Sequence, residues 1–397
     1  MHRSRGLMTA QNCSIYRDTT ERPQGELPMK CPVGQIFYFL CVISKHLCRR
    51  RGKKKRHQEH THTGQFQAVL QSSIIFIITF LTFSAFFISL ESQSPASKTL
   101  HISQSECKAW STHRKWKSLK FKITKRTKLF VKLEDFFWRK DVSRLPLPYG
   151  MQGSELLLLK VLAATANYDM PAHIENLDCR TCVVVGNGYS IRNTSLGSLI
   201  NKYDVVIRLN DAPVRGYEED VGNKTTMRIF YPESASSNPG LHNDEDTLMV
   251  MVPFKPQDLR WLKEILNDEK RDSRGFWKPP PLIWLGHRSK VRVLDPHFMH
   301  QTANKLLHIP FPPKIKQKSF HPTTGILAVF VALNYCDVVH VAGFGYPPKQ
   351  DQQQPIHYYG NQTMKSMKDS SHNISREARA LKKLEDLEAI TYLHPHQ

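Results

Sequence analysis

The stretch Cys179 to Thr226 reads CRTCVVVGNGYSIRNTSLGSLINKYDVVIRLNDAPVRGYEEDVGNKTT. Its apolar run Val183-Val184-Val185 stops at Gly186-Asn187-Gly188, and the run Val205-Val206-Ile207 stops at Asn210. Short continuous apolar runs bounded by polar loops read as strands buried on both faces of a parallel sheet. Each strand of such a sheet delivers its carboxyl end to the same edge, so the loops that follow converge into a ligand crevice. The sequence therefore predicts that Gly186-Asn187-Gly188 and Asn210 are neighbours.

The same grammar returns where Asp337-Val338-Val339-His340-Val341 runs into Gly343-Phe344-Gly345. Cys182 stands directly before the first apolar run and Cys336 directly before this one. If the two strands are adjacent and parallel, the cysteines share the amino edge and one disulfide clamps the sheet there. Closing so long a loop stabilises a fold by roughly 4 to 5 kcal/mol on the chain-entropy model. Two buried free thiols are the alternative in a reducing compartment.

Outward from these strands the chain alternates. Strands are predicted at Met227 to Phe230, Leu248 to Val252 and Val291 to Leu294, with helices around Ser195 to Asn201, Pro256 to Leu266, Pro296 to Leu307 and Ile326 to Leu333. Proline opens the second of these helices, and Leu259, Leu262 and Ile265 follow at helical spacing. Strands alternating with helices predict an α/β fold, a mostly parallel sheet with helices on both faces.

Topology bears on the compartment. Residues 66–90, FQAVLQSSIIFIITFLTFSAFFISL, carry no charge, and as a helix they reach roughly 37 Å, enough to span a bilayer. The block Arg49-Arg50-Arg51-Gly52-Lys53-Lys54-Lys55-Arg56 precedes them and, by the positive-inside rule, keeps the N-terminus cytosolic. The expected layout is a cytosolic tail (1–65), a signal anchor (66–90), a stem (91–132) and a lumenal domain (133–397). A cleaved signal sequence fits less well, since the segment starts deep in the chain and its apolar core is long. Acceptor triplets at Asn193, Asn223, Asn361 and Asn373 suit glycosylation in a lumen. The net charge of +21 is concentrated before the membrane segment and in Lys108 to Lys140, which membrane and acidic glycans account for without nucleic acid.

The polar loops carry the candidate chemistry. Gly186-Asn187-Gly188 fits a nucleotide loop better than a dinucleotide one, since no third glycine or ribose-binding acid follows in place, and a plain turn is the alternative. Thr323-Thr324-Gly325, at a helix start, is either an anion site or an ordinary N-cap. His357 and His372 lie in polar segments after Gly343-Phe344-Gly345, and an imidazole there suits proton transfer near neutral pH. Glu377, five residues after His372, is placed to orient it. His394 and His396 read as a solvated tail. Asp244-Glu245-Asp246 has metal-binding chemistry but precedes its strand, at the wrong edge, and reads as a solvated turn.

These residues resemble the animal sialyltransferases. Cys179 through Val221-Gly-Asn-Lys-Thr-Thr resembles their large motif, and His321-Pro-Thr-Thr-Gly through Gly343-Phe-Gly their small motif. His357-Tyr-Tyr-Gly resembles the third motif, and His372 with Glu377 the very small one. Leu133-Glu-Asp-Phe-Phe-Trp, Leu147-Pro-Tyr-Gly and Gly275-Phe-Trp-Lys are similar to the β-galactoside α-2,3 enzymes of the type 4 branch, whereas Gly360 resembles type 6.

The resemblance implies a Rossmann-like sheet of GT-A-like variety behind a single Golgi membrane anchor. It implies transfer of sialic acid from CMP-N-acetylneuraminate to the 3-hydroxyl of terminal β-galactose, with inversion and without metal or other cofactor. In that reading His372 is the general base and His357 assists the departing phosphate. Asn187, Asn210, Tyr231, Thr323, Thr324, Gly325 and Gly345 hold CMP. The resemblance also pairs Cys182 with Cys336 and Cys179 with Cys107. Acceptor class and oligomeric state are not specified by it.

Overall fold

The computed structural model describes residues 128–133, 145–165, 170–309, 320–347, 353–367 and 370–396, together with Ile75, Thr79, Phe80 and Cys107. The chain divides into two units, Met1–Ser94 and Pro95–Gln397. In the first, Ile75, Thr79 and Phe80 are helical and exposed; the rest of the expected anchor, the whole tail and most of the stem lie outside the described residues. Among the described residues no helix is long and apolar enough to cross a membrane.

The second unit is built on one 8-stranded sheet. Its strands are β1 (Phe130–Val131), β2 (Thr181–Val185), β3 (Val205–Leu209), β4 (Met227–Phe230), β5 (Leu248–Met251), β6 (Val291–Leu294), β7 (Val338–Ala342) and β8 (Thr391–Tyr392). They lie in the order β1-β6-β5-β4-β3-β2-β7-β8, and every pairing is parallel except β1 with β6. The longer helices are α1 (Glu155–Ala164), α2 (Pro256–Leu266), α3 (Pro296–Gln301), α4 (Thr324–Tyr335) and α5 (Ile374–Asp386).

Alternating side chains of the strands feed two layers of core. Val184, Val205, Ile207, Ile229 and Val250 pack with α3, α4 and the inner side of α5. On the opposite face Phe230, Met249, Met251 and Val293 pack with α1 and α2, while Val183, Val185 and Val206 cover the short turn Gly197–Ile200. Both faces are therefore covered, which is why the central strands read as unbroken apolar runs rather than alternating ones. Helix α4 is buried over nearly its whole length, as a helix without a polar stripe must be.

Three buried arginines break the apolar strands, Arg208, Arg228 and Arg292, and each donates to main-chain carbonyls. Arg208 of β3 and Arg228 of β4 are side by side in register. Arg208 donates to the Val221 and Gly222 carbonyls at 2.7 and 3.0 Å. Arg228 donates to those of Asn210 and Ala212 at 2.9 and 3.1 Å. Burial lowers the Arg208 and Arg228 guanidinium groups to about 10, yet each stays cationic at neutral pH and pins the loops that leave β3.

Strands β2 and β7 are neighbours, so their glycine loops meet. The Gly188 amide donates to the Gly343 carbonyl at 2.8 Å, and the Gly186 amide to the Ala342 carbonyl at 2.7 Å. A Cβ on Gly186 or Gly188 would fall 2.3 or 2.6 Å from the Gly343 oxygen, and Gly343 itself has φ +68°. No other residue fits this crossing. At the other end of these strands a disulfide joins Cys182 to Cys336, and a second joins Cys107 to Cys179.

Three differences from the sequence reading concern the presence or length of elements. The expected helix Pro296 to Leu307 is α-helical only to Gln301 and continues as a π-helical turn over Thr302–Leu306. Helix α1 was not anticipated, because ELLLLKVLAA has little amphipathic contrast. Strands β1 and β8 have 2 residues each, too few to show a period, and β1 carries the sheet upstream of Leu133 into what reads as stem.

Candidate active site

The carboxyl ends of β2, β3, β4, β5 and β7 and the start of α4 form one rim. The first corner is Asn187. Its main-chain oxygen accepts from the Tyr358 amide at 3.0 Å, and its Nδ2 donates to the Tyr359 hydroxyl at 3.1 Å. Its Oδ1 is buried without a hydrogen-bond partner among the described residues, an acceptor left over for a donor on a bound molecule. His357 bridges to Gly188 and stacks on Tyr359 at 5.3 Å. Burial pushes its imidazole down, and the Asp211 carboxylate opposes that. Gly345, at φ +119°, lies against Gly188 in the same corner.

Asn210 makes the second corner. It follows β3 at φ +53°, a left-handed conformation that asparagine tolerates better than most residues, and Arg228 holds its carbonyl at 2.9 Å. Asn210 Oδ1 accepts from the Ser234 hydroxyl at 3.1 Å, and that hydroxyl oxygen accepts from the Tyr231 amide at 3.1 Å. The two corners are joined through Tyr359, whose hydroxyl also reaches Asp211 at 3.5 Å.

Aromatic contacts lead on to the third corner. Tyr231 meets Phe254 edge-on at 5.7 Å, Phe254 meets His321 at 4.7 Å, and the His321 ring meets His372 at 4.7 Å, nearly perpendicular. The segments carrying the two histidines are stitched together. The His321 amide donates to the Ser371 carbonyl at 3.2 Å, and Ser371 Oγ bonds His321 Nε2 at 2.9 Å. His372 Nδ1 lies 2.9 Å from the His321 carbonyl oxygen. A carbonyl only accepts, so Nδ1 carries the hydrogen and Nε2 of the neutral ring is the lone-pair nitrogen.

Glu377 does something other than expected. Its carboxylate accepts from the Thr323 amide at 2.8 Å and the Thr323 hydroxyl at 2.6 Å, so the orienting group of His372 is the His321 carbonyl. It also means that the anion at Thr323 is supplied by the protein, because a carboxylate is drawn to the N-terminus of α4 by its amides and dipole. Thr324 and Gly325 continue that helix start, Thr324 buried and Gly325 half-buried.

His394 corrects the reading of the tail. It is 7% exposed, and its Nε2 accepts the Gly343 amide at 2.8 Å. His396 stacks on Tyr392 and pairs with Glu385 at 3.3 Å. The acidic turn lies at the amino end of β5, where Asp244 accepts from the Thr225 amide at 2.7 Å and Asp246 pairs with Lys290 at 3.0 Å. Asn193, Asn223 and Asn361 are exposed, whereas the Asn373 side-chain oxygen caps α5 by accepting from the Arg376 amide at 3.0 Å.

Sequence reasoning missed Ser234, Asp211, Tyr359, Phe254 and His321 as parts of the rim. A signal existed for Ser234, since Tyr231-Pro232-Glu233-Ser234 follows a strand as Gly186-Asn187-Gly188 does. None existed for Phe254, whose role is to pass packing from Tyr231 to His321.

A mostly parallel α/β sheet whose carboxyl rim gathers a glycine loop, carboxamides and a hydroxyl-bearing helix start places the chain in the open α/β class, whose ligand crevices lie at that edge. A family model for glycosyltransferase family 29 (sialyltransferase) matches residues 130–389, and the chain belongs to that family. It is 56% identical over 267 residues to human CMP-N-acetylneuraminate-beta-galactosamide-alpha-2,3-sialyltransferase 4, a match covering 67% of this chain and 79% of the relative. With human type 2 lactosamine alpha-2,3-sialyltransferase it is 45% identical over 240 residues, covering 60% and 72%. The crystal structure of a mammalian sialyltransferase shares the fold, at TM-score 0.54 and 23% identity, over 72% of this chain and 96% of that one.

Proposed function

We infer that this chain is a CMP-sialic acid:β-galactoside α-2,3-sialyltransferase, which transfers N-acetylneuraminate to the 3-hydroxyl of terminal β-galactose on glycoprotein or glycolipid glycans. Its family and its identity to enzymes named for that linkage support the reading. The observation that carries the mechanism is the hydrogen bond from His372 Nδ1 to the His321 carbonyl, which makes Nε2 the basic nitrogen of the neutral ring.

In the proposed reaction the galactose 3-oxygen attacks the anomeric carbon of the donor as its proton passes to His372 Nε2. The bond from that carbon to the phosphate oxygen breaks, and the electron pair leaves with CMP. Attack from the face opposite the phosphate inverts the centre. A monophosphate leaving group carries less charge than a diphosphate, so a ring N–H of His357 and neighbouring N–H and O–H donors suffice to stabilise it without metal. Asn187, whose buried Oδ1 awaits a donor, joins Asn210, Tyr231, Thr324, Gly325 and Gly345 in holding CMP, while Thr323, expected among them, has its amide and hydroxyl engaged by Glu377 and holds the start of α4 in place.

The uncharged segment 66–90 is read as the anchor, with 1–65 cytosolic and 91–132 as stem to the Golgi-lumenal enzyme. Loss of mass on glycosidase treatment, at Asn193, Asn223, Asn361 or Asn373, tests that orientation. The activity is tested by incubating the purified chain with CMP-sialic acid and lactosamine. Free CMP with α-2,3-linked product is expected; CMP without that product, or no turnover, overturns the assignment.

A further inference from the structure

We propose that His394 is a positioning residue for the donor pocket, acting through the Gly343 peptide. The proposal rests on the functional reading above only for what the pocket binds. Strand β8 lies parallel to β7, with the Leu393 amide donating to the Val341 carbonyl at 3.0 Å. The next residue, His394, therefore swings its ring under the loop that leaves β7. There Nε2 accepts the Gly343 amide at 2.8 Å, while Nδ1 lies 2.7 Å from the Pro395 carbonyl oxygen. That carbonyl takes the Nδ1 hydrogen, which leaves Nε2 as the acceptor.

Gly343 is thus held from two sides. His394 fixes its amide, and Gly188 donates to its carbonyl at 2.8 Å. The glycine loops cross so closely that the Gly343 oxygen would clash with a Cβ on Gly186 or Gly188. A rotation of the Gly343 amide plane is therefore passed directly to the residues flanking Asn187. An apolar residue at 394 leaves a buried N–H without its acceptor, and the loop must move to find another. The tail thereby sets the position of Asn187 and Gly345, while His372 and its partners on the third corner are held by contacts of their own.

The test compares the full chain with His394→Leu and His394→Gln, the amide oxygen of glutamine standing in for Nε2. Hydrogen exchange at the Gly343 amide is expected to speed up about tenfold or more in His394→Leu, and to stay near wild type in His394→Gln. The KM for CMP-sialic acid is expected to rise about tenfold in His394→Leu and to be restored in His394→Gln, with kcat and the acceptor KM changed less than about threefold. Unchanged Gly343 exchange in His394→Leu overturns the proposal. So does a joint fall of kcat, both KM values and thermal stability in both variants, which marks a general structural role. Should His394→Leu fail to fold, a folded His394→Gln with slow Gly343 exchange and wild-type donor KM supports the proposal, and fast exchange overturns it. The exchange measurement needs no turnover, so a chain without transferase activity would overturn the functional reading alone.

Discussion

The Glu377 carboxylate is tied to Thr323 twice, by the amide at 2.8 Å and the hydroxyl at 2.6 Å. Thr323 is the N-cap of α4, and Glu377 lies in the first turn of α5. The pair therefore joins the starts of two helices, and His321 and His372 stand just ahead of those starts. Glu377→Ala is expected to cost about 1 to 3 kcal/mol of stability by stranding two donors, and to lower kcat more than about tenfold by loosening the His321–His372 contact. Denaturant unfolding and initial rates check both; a stable variant with wild-type kcat removes the coupling.

Glu377 and His321 also give opposite pH dependences. Burial raises the Glu377 carboxyl from 4.5 to about 7 against the pull of the Thr323 donors. Burial, helped by His372, lowers His321 from 6.5 to about 4. The Glu377 contribution is fully present below 4.5 and is lost as pH rises through about 7; that of His321 is present above 6.5 and is lost as pH falls through about 4. Between pH 4.5 and 6.5 the two slopes, each about 1.4 kcal/mol per pH unit, cancel. Glu377→Gln should therefore destabilise progressively on acidification through that window, and His321→Asn should do the reverse. Urea midpoints measured across it would refute the account if both variants simply ran parallel to wild type.

The central sheet was legible because buried parallel strands are apolar over their whole length, and Val183 to Val185 and Val205 to Leu209 are strands in the structure. Less legible was anything set by contacts between distant segments. Glu377 stands five residues from His372 in sequence, yet helix α5 turns its carboxylate toward Thr323. His394 looks like a polar tail until β8 pairs with β7 and buries it. Spacing along a chain names candidate residues, but their partners depend on tertiary packing.

The Cys182–Cys336 disulfide closes a loop of 154 residues across adjacent strands. Replacing both cysteines by alanine should lower stability by about 4 to 5 kcal/mol if the bond acts through loop entropy. Chemical denaturation of the variant, with Cys107 and Cys179 intact, measures it. A loss below about 1 kcal/mol would show that the parallel β2–β7 pairing holds without the crosslink.

The acidic turn predicts a negative result. Asp244 and Asp246 lie before β5, with Asp244 engaged by the Thr225 amide. Tyr231, Asn210 and Asn187 follow the opposite ends of their strands, and a strand of four residues is about 13 Å long. Asp246→Asn, and addition of a chelator, should leave transfer within about twofold of wild type. Rescue by Mn²⁺ after chelation would put metal chemistry back on the table.

His372 is where the mechanism is most exposed to test. Removing a general base that acts in the transition state typically costs between about 10² and 10⁴ in rate, while groups that only bind the donor lose affinity instead. His372 contacts the His321 carbonyl and ring, whereas Asn187 and His357 are placed by Gly188, Tyr358 and Tyr359. His372→Ala is therefore expected to lower kcat by at least about a hundredfold and leave CMP affinity within about threefold. Isothermal titration with CMP and initial rates with lactosamine separate the two quantities. Transfer above about a tenth of wild type would assign the base to another group, and a matching loss of CMP affinity would make His372 part of donor binding instead.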